Sequence, residues 1–322
     1  MTGTIGIKAD FLTSKHKRDI EHVALNNNLK IHYFTDEADM DAVIGQCEIL
    51  YGYIPPEKLR AASSLRWLAC ASSGVEQYLA EYLYPNPGVI LTNSAGAYGI
   101  TISEHILMTM LMLMRRIPEY HAVVSAHRWE DLGRIRSIYG SVITVIGTGD
   151  IGTAFAQRAK ALGAAHIRGV HRTNKPLPRC FDESYAVEDL DFALAGADAV
   201  VMCVPGTKET ENLITRERLG LLKKTSVLIN VGRGSSLDQD ALMDALNRGE
   251  IAGAALDVTT PEPLPADHPL WNTRNLIITP HVSGNMTLDI TCDLDVHMFC
   301  DNLVRYCRQQ PMKHIVERSV GY

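Results

Sequence analysis

Three short segments in the second half of the chain carry residue types suited to proton transfer and anion binding, each just after an apolar run. NVGRGSS (230–236) follows Val227–Asn230, DVTTPEPLP (257–265) follows Ala252–Leu256, and TPHVSG (279–284) follows Leu276–Ile278. The imidazole of His281 is the side chain that exchanges a proton near neutral pH. A carboxylate beside it, here Glu262, would orient the ring and favour its charged form. The guanidinium of Arg233 is a permanent cation whose forked donors match a carboxylate. Singly, each has a plainer reading: Arg233 a surface charge, Glu262 a loop carboxylate, His281 a capped loop histidine. Together they follow strand ends, where open α/β sheets collect ligands, so they are expected to face one crevice.

Upstream, the run VITVI (142–146) leads directly into GTGDIG (147–152), and Ile151, Phe155, Ala159 and Leu162 then keep helical spacing up to Gly163. This order is strand, tight turn, helix and glycine stop. Gly147 would make the turn, Gly149 would let the backbone approach a pyrophosphate, and Gly152 would let helix meet strand. The N–H groups of the first helical residues, Asp150 and Ile151, would face the phosphates with the positive end of the helix dipole. A glycine turn alone also joins many strands to helices for steric reasons; the strand before it and the helix after it give the dinucleotide reading. The next strand, Ile167–Val170, ends in His171, Arg172 and Thr173, where a carboxylate for the ribose hydroxyls of NAD is absent. A guanidinium suits a 2′-phosphate, so NADP is the expected cofactor, with NAD the alternative. The competing reading of Arg172 is a solvated surface charge.

These segments need a framework of strands. Short apolar runs at Thr4–Ile7, Ile31–Phe34, Glu48–Tyr51, Trp67–Ala71 and Val89–Thr92 alternate with amphipathic stretches, which implies a parallel sheet covered on both faces. A second series has six runs: Val142–Ile146, Ile167–Val170, Ala199–Val204, Val227–Asn230, Ala252–Leu256 and Leu276–Ile278, enough for a doubly wound nucleotide domain. Between the series, Ile102 to about Val124 reads as one long helix, apolar on more than one face. A helix buried all round would belong at a domain or subunit junction. Its methionines, Met108, Met110, Met112 and Met114, alternate and so do not form one helical stripe; core packing is expected. After Pro280 a helix is expected from about Leu288 to Arg308. The layout is two doubly wound α/β domains, 102–288 inserted into a domain made of 1–101 and 289–322.

Composition sets outer bounds. Among 322 residues, 46% are hydrophobic and 21% charged, as in a folded globular chain. The net charge of −6 argues against a nucleic-acid or anionic-membrane surface, since either needs a positive field. Seven cysteines without a CxxC pair suggest neither a disulfide framework nor a zinc site. The N-terminus lacks the pattern of an export signal, and Ile106–Met114 is about half the length of a membrane span. A cytoplasmic chain with no metal is expected.

Taken together, the segments resemble the D-isomer-specific 2-hydroxyacid dehydrogenase family. The resemblance also includes SSGVE (72–76), TNS (92–94), SEH (103–105) and VPGTKET (204–210), and so covers nearly the whole chain. It implies a Rossmann cofactor domain inserted into a flavodoxin-like substrate domain, a homodimer built through the cofactor domains, and hydride transfer between NAD(P)H and a 2-oxo acid. On that resemblance His281 would give the proton, Glu262 would be its partner, and Arg233 would pair with the substrate carboxylate together with the N–H groups of Ser73 and Gly74. Asp257 would orient the nicotinamide amide. Val204, Pro205, Thr210, Asn230, Val231, His281 and Gly284 would line the cofactor. Glu76 stands where the family usually has aspartate, and Thr259-Thr260 replaces an aromatic-acidic pair, which leaves the packing of that loop open. Rival readings are a glyoxylate or hydroxypyruvate reductase of the same family, and a nucleotide-sensing binding protein on the same fold. Tyr51 and Tyr53 follow a strand and would either meet the substrate side chain or belong to the core.

Overall fold

The alternation of apolar runs and amphipathic stretches becomes two parallel sheets in a computed structural model that describes residues 3–172 and 176–321. The chain divides into two units, Met1–Tyr98 with Met286–Tyr322, and Gly99–Asn285. The crossings thus fall at 98/99 and 285/286, against 101/102 and 288/289 read from the sequence.

In the first unit, β1 (Thr4–Lys8), β2 (Lys30–Tyr33), β3 (Ile49–Gly52), β4 (Trp67–Cys70) and β5 (Ile90–Thr92) pair in parallel in the order β2-β1-β3-β4-β5. This is the flavodoxin-like order, with its switch point between β1 and β3. Helices α1 (Ser14–Asn26) and α2 (Glu37–Val43) begin at Thr13 and Asp36, whose side chains accept the N–H groups of His16 and Asp39. β3 and β4 are buried along their whole length because apolar clusters cover both faces of the sheet.

The second unit opens with α3 (Gly99–Met114) and α4 (Ile117–Ser125), where the sequence suggested one helix. Pro118 lacks the N–H that would continue the ladder, and Arg116 takes a left-handed conformation with φ of 61°. The Arg116 guanidinium bonds Glu119 and the Leu132 carbonyl, which holds the break. Nor is this stretch buried all round. Ile106, Met110 and Met114 face the core, while Met108 and Leu111 are 48% and 38% exposed.

Seven strands follow: β6 (Val142–Ile146), β7 (His166–His171), β8 (Glu183–Ala186), β9 (Ala199–Met202), β10 (Val227–Asn230), β11 (Gly253–Leu256) and β12 (Leu276–Ile278). Their order is β12-β11-β10-β9-β6-β7-β8, the Rossmann arrangement with one more strand at the β12 edge. The strand absent from the sequence reading is β8. It is a four-residue edge strand with mostly exposed side chains, ESYA, so it has no apolar run to reveal it. Between the strands lie α5 (Asp150–Ala161), α6 (Leu190–Leu194), α7 (Arg216–Leu219) and α8 (Gln239–Arg248).

The chain then returns to the first unit as α9 (Asp289–Cys307). Phe299 stacks on Tyr51 with ring centroids 3.9 Å apart and on Trp67 at 5.4 Å. Such pairs contribute about 0.5–1.5 kcal/mol each beyond their buried area. Asp293 meets His16 of α1 at 2.9 Å, and Tyr306 donates to Glu48. Among the described residues no helix is long and apolar enough to cross a membrane. All seven cysteines are free thiols.

Candidate active site

The second unit builds its catalytic candidates on three adjacent strand ends. β10 closes with Asn230, which is fully buried. Its Nδ2 donates to the Arg233 carbonyl at 2.9 Å, its Oδ1 accepts the Gly232 N–H at 3.0 Å, and Ser236 Oγ donates to the same Arg233 carbonyl at 2.6 Å. The Asn230 amide therefore shapes the turn that presents Arg233. Neighbouring Val231 is buried too. A Cβ on Gly232 would lie 2.5 Å from the Val204 carbonyl oxygen, and one on Gly234 would lie 2.2 Å from the backbone of Thr259. The Arg233 turn is thus pressed between the loops that follow β9 and β11.

The loop after β11 carries Glu262. Its Oε1 accepts the Thr259 N–H at 2.9 Å and its Oε2 meets His281 Nδ1 at 2.8 Å. Thr259 Oγ1 donates to the Pro261 carbonyl, and Gln239 bonds both the N–H and the carbonyl of Thr260. The two threonines and Gln239 therefore hold this loop in place of the aromatic-acidic pair. With Nδ1 engaged by Glu262, the other ring nitrogen of His281 faces outward on a side chain that is 52% exposed.

His281 itself has φ of 53°, in the left-handed region, where a non-glycine residue carries about 1–3 kcal/mol of strain. Its N–H donates to the Asp257 carbonyl at 2.8 Å. The Asp257 carboxylate accepts from Thr279 Oγ1 at 2.6 Å and from the N–H groups of Val282 and Ser283. Its side chain is completely enclosed. It therefore holds the His281 turn. His105 of α3 completes the arrangement, with Nε2 at 3.2 Å from Thr279 Oγ1. Burial lowers the pKa of this histidine, against the nearby Asp257 charge, so it stays neutral. Since Thr279 gives its one hydroxyl proton to Asp257, His105 donates to Thr279. Sequence reasoning passed over Gln239; Thr279 and His105 were visible only as parts of TPHVSG and SEH.

The glycine loop lies past the carboxyl end of β6. Gly147 has φ of +96°, and a Cβ there would meet the Cys203 carbonyl oxygen at 2.6 Å. Gly149 caps α5, and a Cβ on it would project into open space, as a backbone that receives a pyrophosphate requires. A Cβ on Gly152 would lie 2.0 Å from the Gly147 carbonyl oxygen, so helix and turn are in backbone contact. Asp150 and Ile151 form the first turn of α5. These features fit an NAD(P) pyrophosphate at the helix N-terminus. We expect Gly152→Ala to destabilise the protein by about 1–3 kcal/mol, through a forced shift of α5. Gly149→Ala should leave stability nearly unchanged and weaken cofactor binding. Urea unfolding without cofactor, paired with a fluorescence titration of NADPH, checks both; equal midpoints for wild type and Gly152→Ala would refute the first.

β7 ends at His171, whose Nε2 lies 2.6 Å from Ser184 Oγ on β8, and exposed Arg172 follows. A hydrogen bond from Thr207 holds the Glu209 carboxyl below its usual range, with its own backbone N–H and the charges of Arg172 and Lys208 adding to the effect. Thr173 lies outside the described residues. In the segment after β9, Thr210 Oγ1 donates to the Pro205 carbonyl at 2.7 Å and accepts the Thr207 N–H at 2.9 Å, which folds Val204–Thr210 into a closed loop. Gly284 is half-buried beside Ser283.

In the first unit, the loop after β4 holds Ser73 and Gly74. Its carbonyls are bonded one after another: Cys70 by Ser94 Oγ, Ala71 by the phenols of Tyr53 and Tyr98, Ser72 by the Ser94 N–H, Ser73 by Asn93 Nδ2 and Gly74 by Ser72 Oγ. Tyr51 belongs to the core, 1% exposed, whereas Tyr53 is 45% exposed.

The model of the D-isomer specific 2-hydroxyacid dehydrogenase NAD-binding domain matches residues 107–283. The chain is 34% identical over 260 residues to glyoxylate/hydroxypyruvate reductase B of Pectobacterium carotovorum subsp. carotovorum (strain PC1), covering 79% of each chain. The crystal structure of a D-isomer specific 2-hydroxyacid dehydrogenase family protein from Aeromonas salmonicida subsp. salmonicida A449 superposes with a TM-score of 0.87 at 30% identity, covering 99% of this chain and 100% of that one. A D-isomer specific 2-hydroxyacid dehydrogenase from Xanthobacter autotrophicus Py2, solved with NADPH and MES, gives 0.83 at 26% identity over 100% of both chains. With its Rossmann glycine turn and the sequence match across the cofactor unit, this chain belongs to the D-isomer-specific 2-hydroxyacid dehydrogenases, which move hydride between NAD(P)H and a 2-oxo acid.

Proposed function

We propose that this enzyme reduces a short 2-oxo acid of the glyoxylate or hydroxypyruvate class, with NADPH as the preferred reductant. The observation that carries the reading is the 2.8 Å pairing of Glu262 with His281 Nδ1, which leaves the outer imidazole nitrogen available to a substrate oxygen. Bound NADPH supplies a hydride, two electrons and one proton nucleus, to the carbonyl carbon. His281 gives its Nε2 proton to the carbonyl oxygen as that oxygen gains charge, and Glu262 keeps the ring aligned. Arg233 binds the substrate carboxylate and polarises the carbonyl, and the family resemblance gives the N–H groups of Ser73 and Gly74 a carboxylate-binding role. The named activity of the Pectobacterium relative favours a small substrate. Steady-state oxidation of NADPH with glyoxylate, hydroxypyruvate, pyruvate, 2-oxoisocaproate and phenylpyruvate tests it. The first two should have the highest kcat/KM, and no turnover with any of the five would point to a nucleotide-sensing protein instead.

Cofactor choice rests on Arg172, which follows β7 where NAD enzymes place a carboxylate. A charge-assisted bond to a 2′-phosphate contributes about 1.5–3 kcal/mol. Arg172→Ala should therefore reduce the preference for NADPH over NADH by roughly ten- to a hundredfold, since 1.4 kcal/mol is about a factor of ten. The ratio of kcat/KM for the two cofactors at fixed ionic strength measures this. A wild type that prefers NADH, or a ratio unmoved by the substitution, would leave Arg172 a surface charge.

The α3–α4 segment supports a homodimer. Met108, Leu111, Ile117 and Val124 are 38–65% exposed and Trp129 is fully so, an apolar surface that a second copy would cover. Light scattering during gel filtration gives the mass directly. Seven free thiols fit a reducing compartment, and we place the enzyme in the cytoplasm.

A further inference from the structure

Asp295 is buried on α9, 1% exposed, and its carboxyl is surrounded by polar groups from distant parts of the first unit. Tyr51 donates its phenol proton to Oδ2 at 2.5 Å. Ser94 Oγ lies against Oδ1 and is also 2.9 Å from the Cys70 carbonyl oxygen. A serine hydroxyl has a single proton to give. If Asp295 is ionised, that proton goes to the carboxylate and the Cys70 carbonyl faces only lone pairs. If Asp295 is protonated on Oδ1, it donates to Ser94, Ser94 donates to Cys70, Tyr51 donates to Oδ2, and every contact holds a proton.

We propose that Asp295 is a positioning residue for the loop that receives the substrate carboxylate, and that it acts through Ser94. The connection runs through Asn93 and Ser94. Ser94 bonds Cys70 through its hydroxyl and Ser72 through its N–H, while Asn93 bonds Ser73, so a shift of Ser94 moves the supports of Ser73 and Gly74 together. The inference rests on the reading of Ser73 and Gly74 as carboxylate ligands.

Burial raises the Asp295 carboxyl to about 6, opposed by the bonds from Ser94 and Tyr51 and by His16 of α1. The other groups of this interior are Tyr53 beyond β3, Cys70 of β4, Tyr98, and Cys292 and Cys300 of α9. Burial raises all of these and Tyr51, so they remain neutral. The brace is thus complete below about pH 6 and loses the Cys70 bond above it.

The test compares KM for the 2-oxo acid in wild type and Asp295→Asn from pH 5 to 8. Asparagine keeps a donor and an acceptor where the neutral acid has them and does not ionise. The ratio of wild-type to variant KM should be near one at pH 5 and rise by roughly three- to tenfold at pH 8, the scale of one hydrogen bond, with kcat held. Taking the ratio cancels the proton demand of His281. Ser94→Ala should keep KM at the raised value throughout, which covers the case of a poorly folding Asp295→Asn. A ratio flat across the range overturns the proposal. Infrared spectroscopy reads the acid directly: a carboxylic C=O band at pH 5, lost as pH passes 6 and absent in Asp295→Asn, is expected. Absence of that band in wild type at pH 5 overturns the protonated state. A band present in a protein that turns over no 2-oxo acid faults the underlying functional reading, and the positioning role with it.

Discussion

His281→Ala should lower turnover of the 2-oxo acid by roughly two to four orders of magnitude, the usual scale for loss of a general acid. Cofactor affinity should change little, because the glycine turn that fits the pyrophosphate follows β6 and the His281 turn follows β12. The expected loss is this large because hydride addition leaves an alkoxide that no remaining group of the Glu262–His281 pair could protonate. Glu262 has one oxygen on the Thr259 N–H, and with the ring gone its other oxygen has lost its partner. Single-turnover kinetics with NADPH isolates the chemical step, and a fluorescence titration gives the cofactor affinity. A variant with wild-type kcat would remove His281 from the mechanism; a variant that fails to bind NADPH would move its role to the cofactor.

Arg233→Ala should reduce kcat/KM by a comparable two to three orders of magnitude, roughly the scale of removing an electrostatic stabiliser. Much of the loss should appear in kcat, because the guanidinium interacts most strongly with the oxygen that gains charge during reduction. Arg233→Lys should recover only part of it, since an ammonium lacks the fork that engages carboxylate and carbonyl together. The turn itself should survive either change. Asn230 and Ser236 hold it through the Arg233 carbonyl and the Gly232 N–H, to which the side chain adds a bond from Nη1 to the Gly232 carbonyl. Thermal unfolding near the wild-type midpoint, combined with the kinetic loss, is therefore the expected pair of results; near-normal kcat/KM in the alanine variant would refute the role.

How far the sequence carried this picture depends on burial. The strands β6, β10 and β12 were legible to the residue, because runs such as VITVI and VLIN are apolar on both faces. The edge strand β8 was not, since most of its side chains are exposed. The division of one helix into α3 and α4 had a readable cause in Pro118, which the strength of the apolar pattern around it obscured. At the site, the glycine turn and the three strand-end segments were visible because their chemistry is local. Asn230 and Asp257 were placed on the right strand ends, but their bonds to their own loops were not foreseen. A polar residue there bonds either a ligand or its own loop, and only coordinates distinguish the two. The meeting of Tyr51, Ser94 and Asp295 had no local signal, being made by chain returning from 201 and 244 residues away.

The edge position of β8 has a consequence for how this enzyme could change over generations. His171 leans on Ser184, and Arg172 follows β7, which lies between β6 and the short, mostly exposed edge strand β8. Substitutions at exposed sites of this kind usually shift stability by no more than about 0.5 kcal/mol. Gly147 and Gly152 admit no such drift, because a Cβ on either would meet backbone. Mutational freedom therefore concentrates at the rim proposed to distinguish NADPH from NADH. A lineage could exchange one reductant for the other while the turn that accommodates both stays fixed.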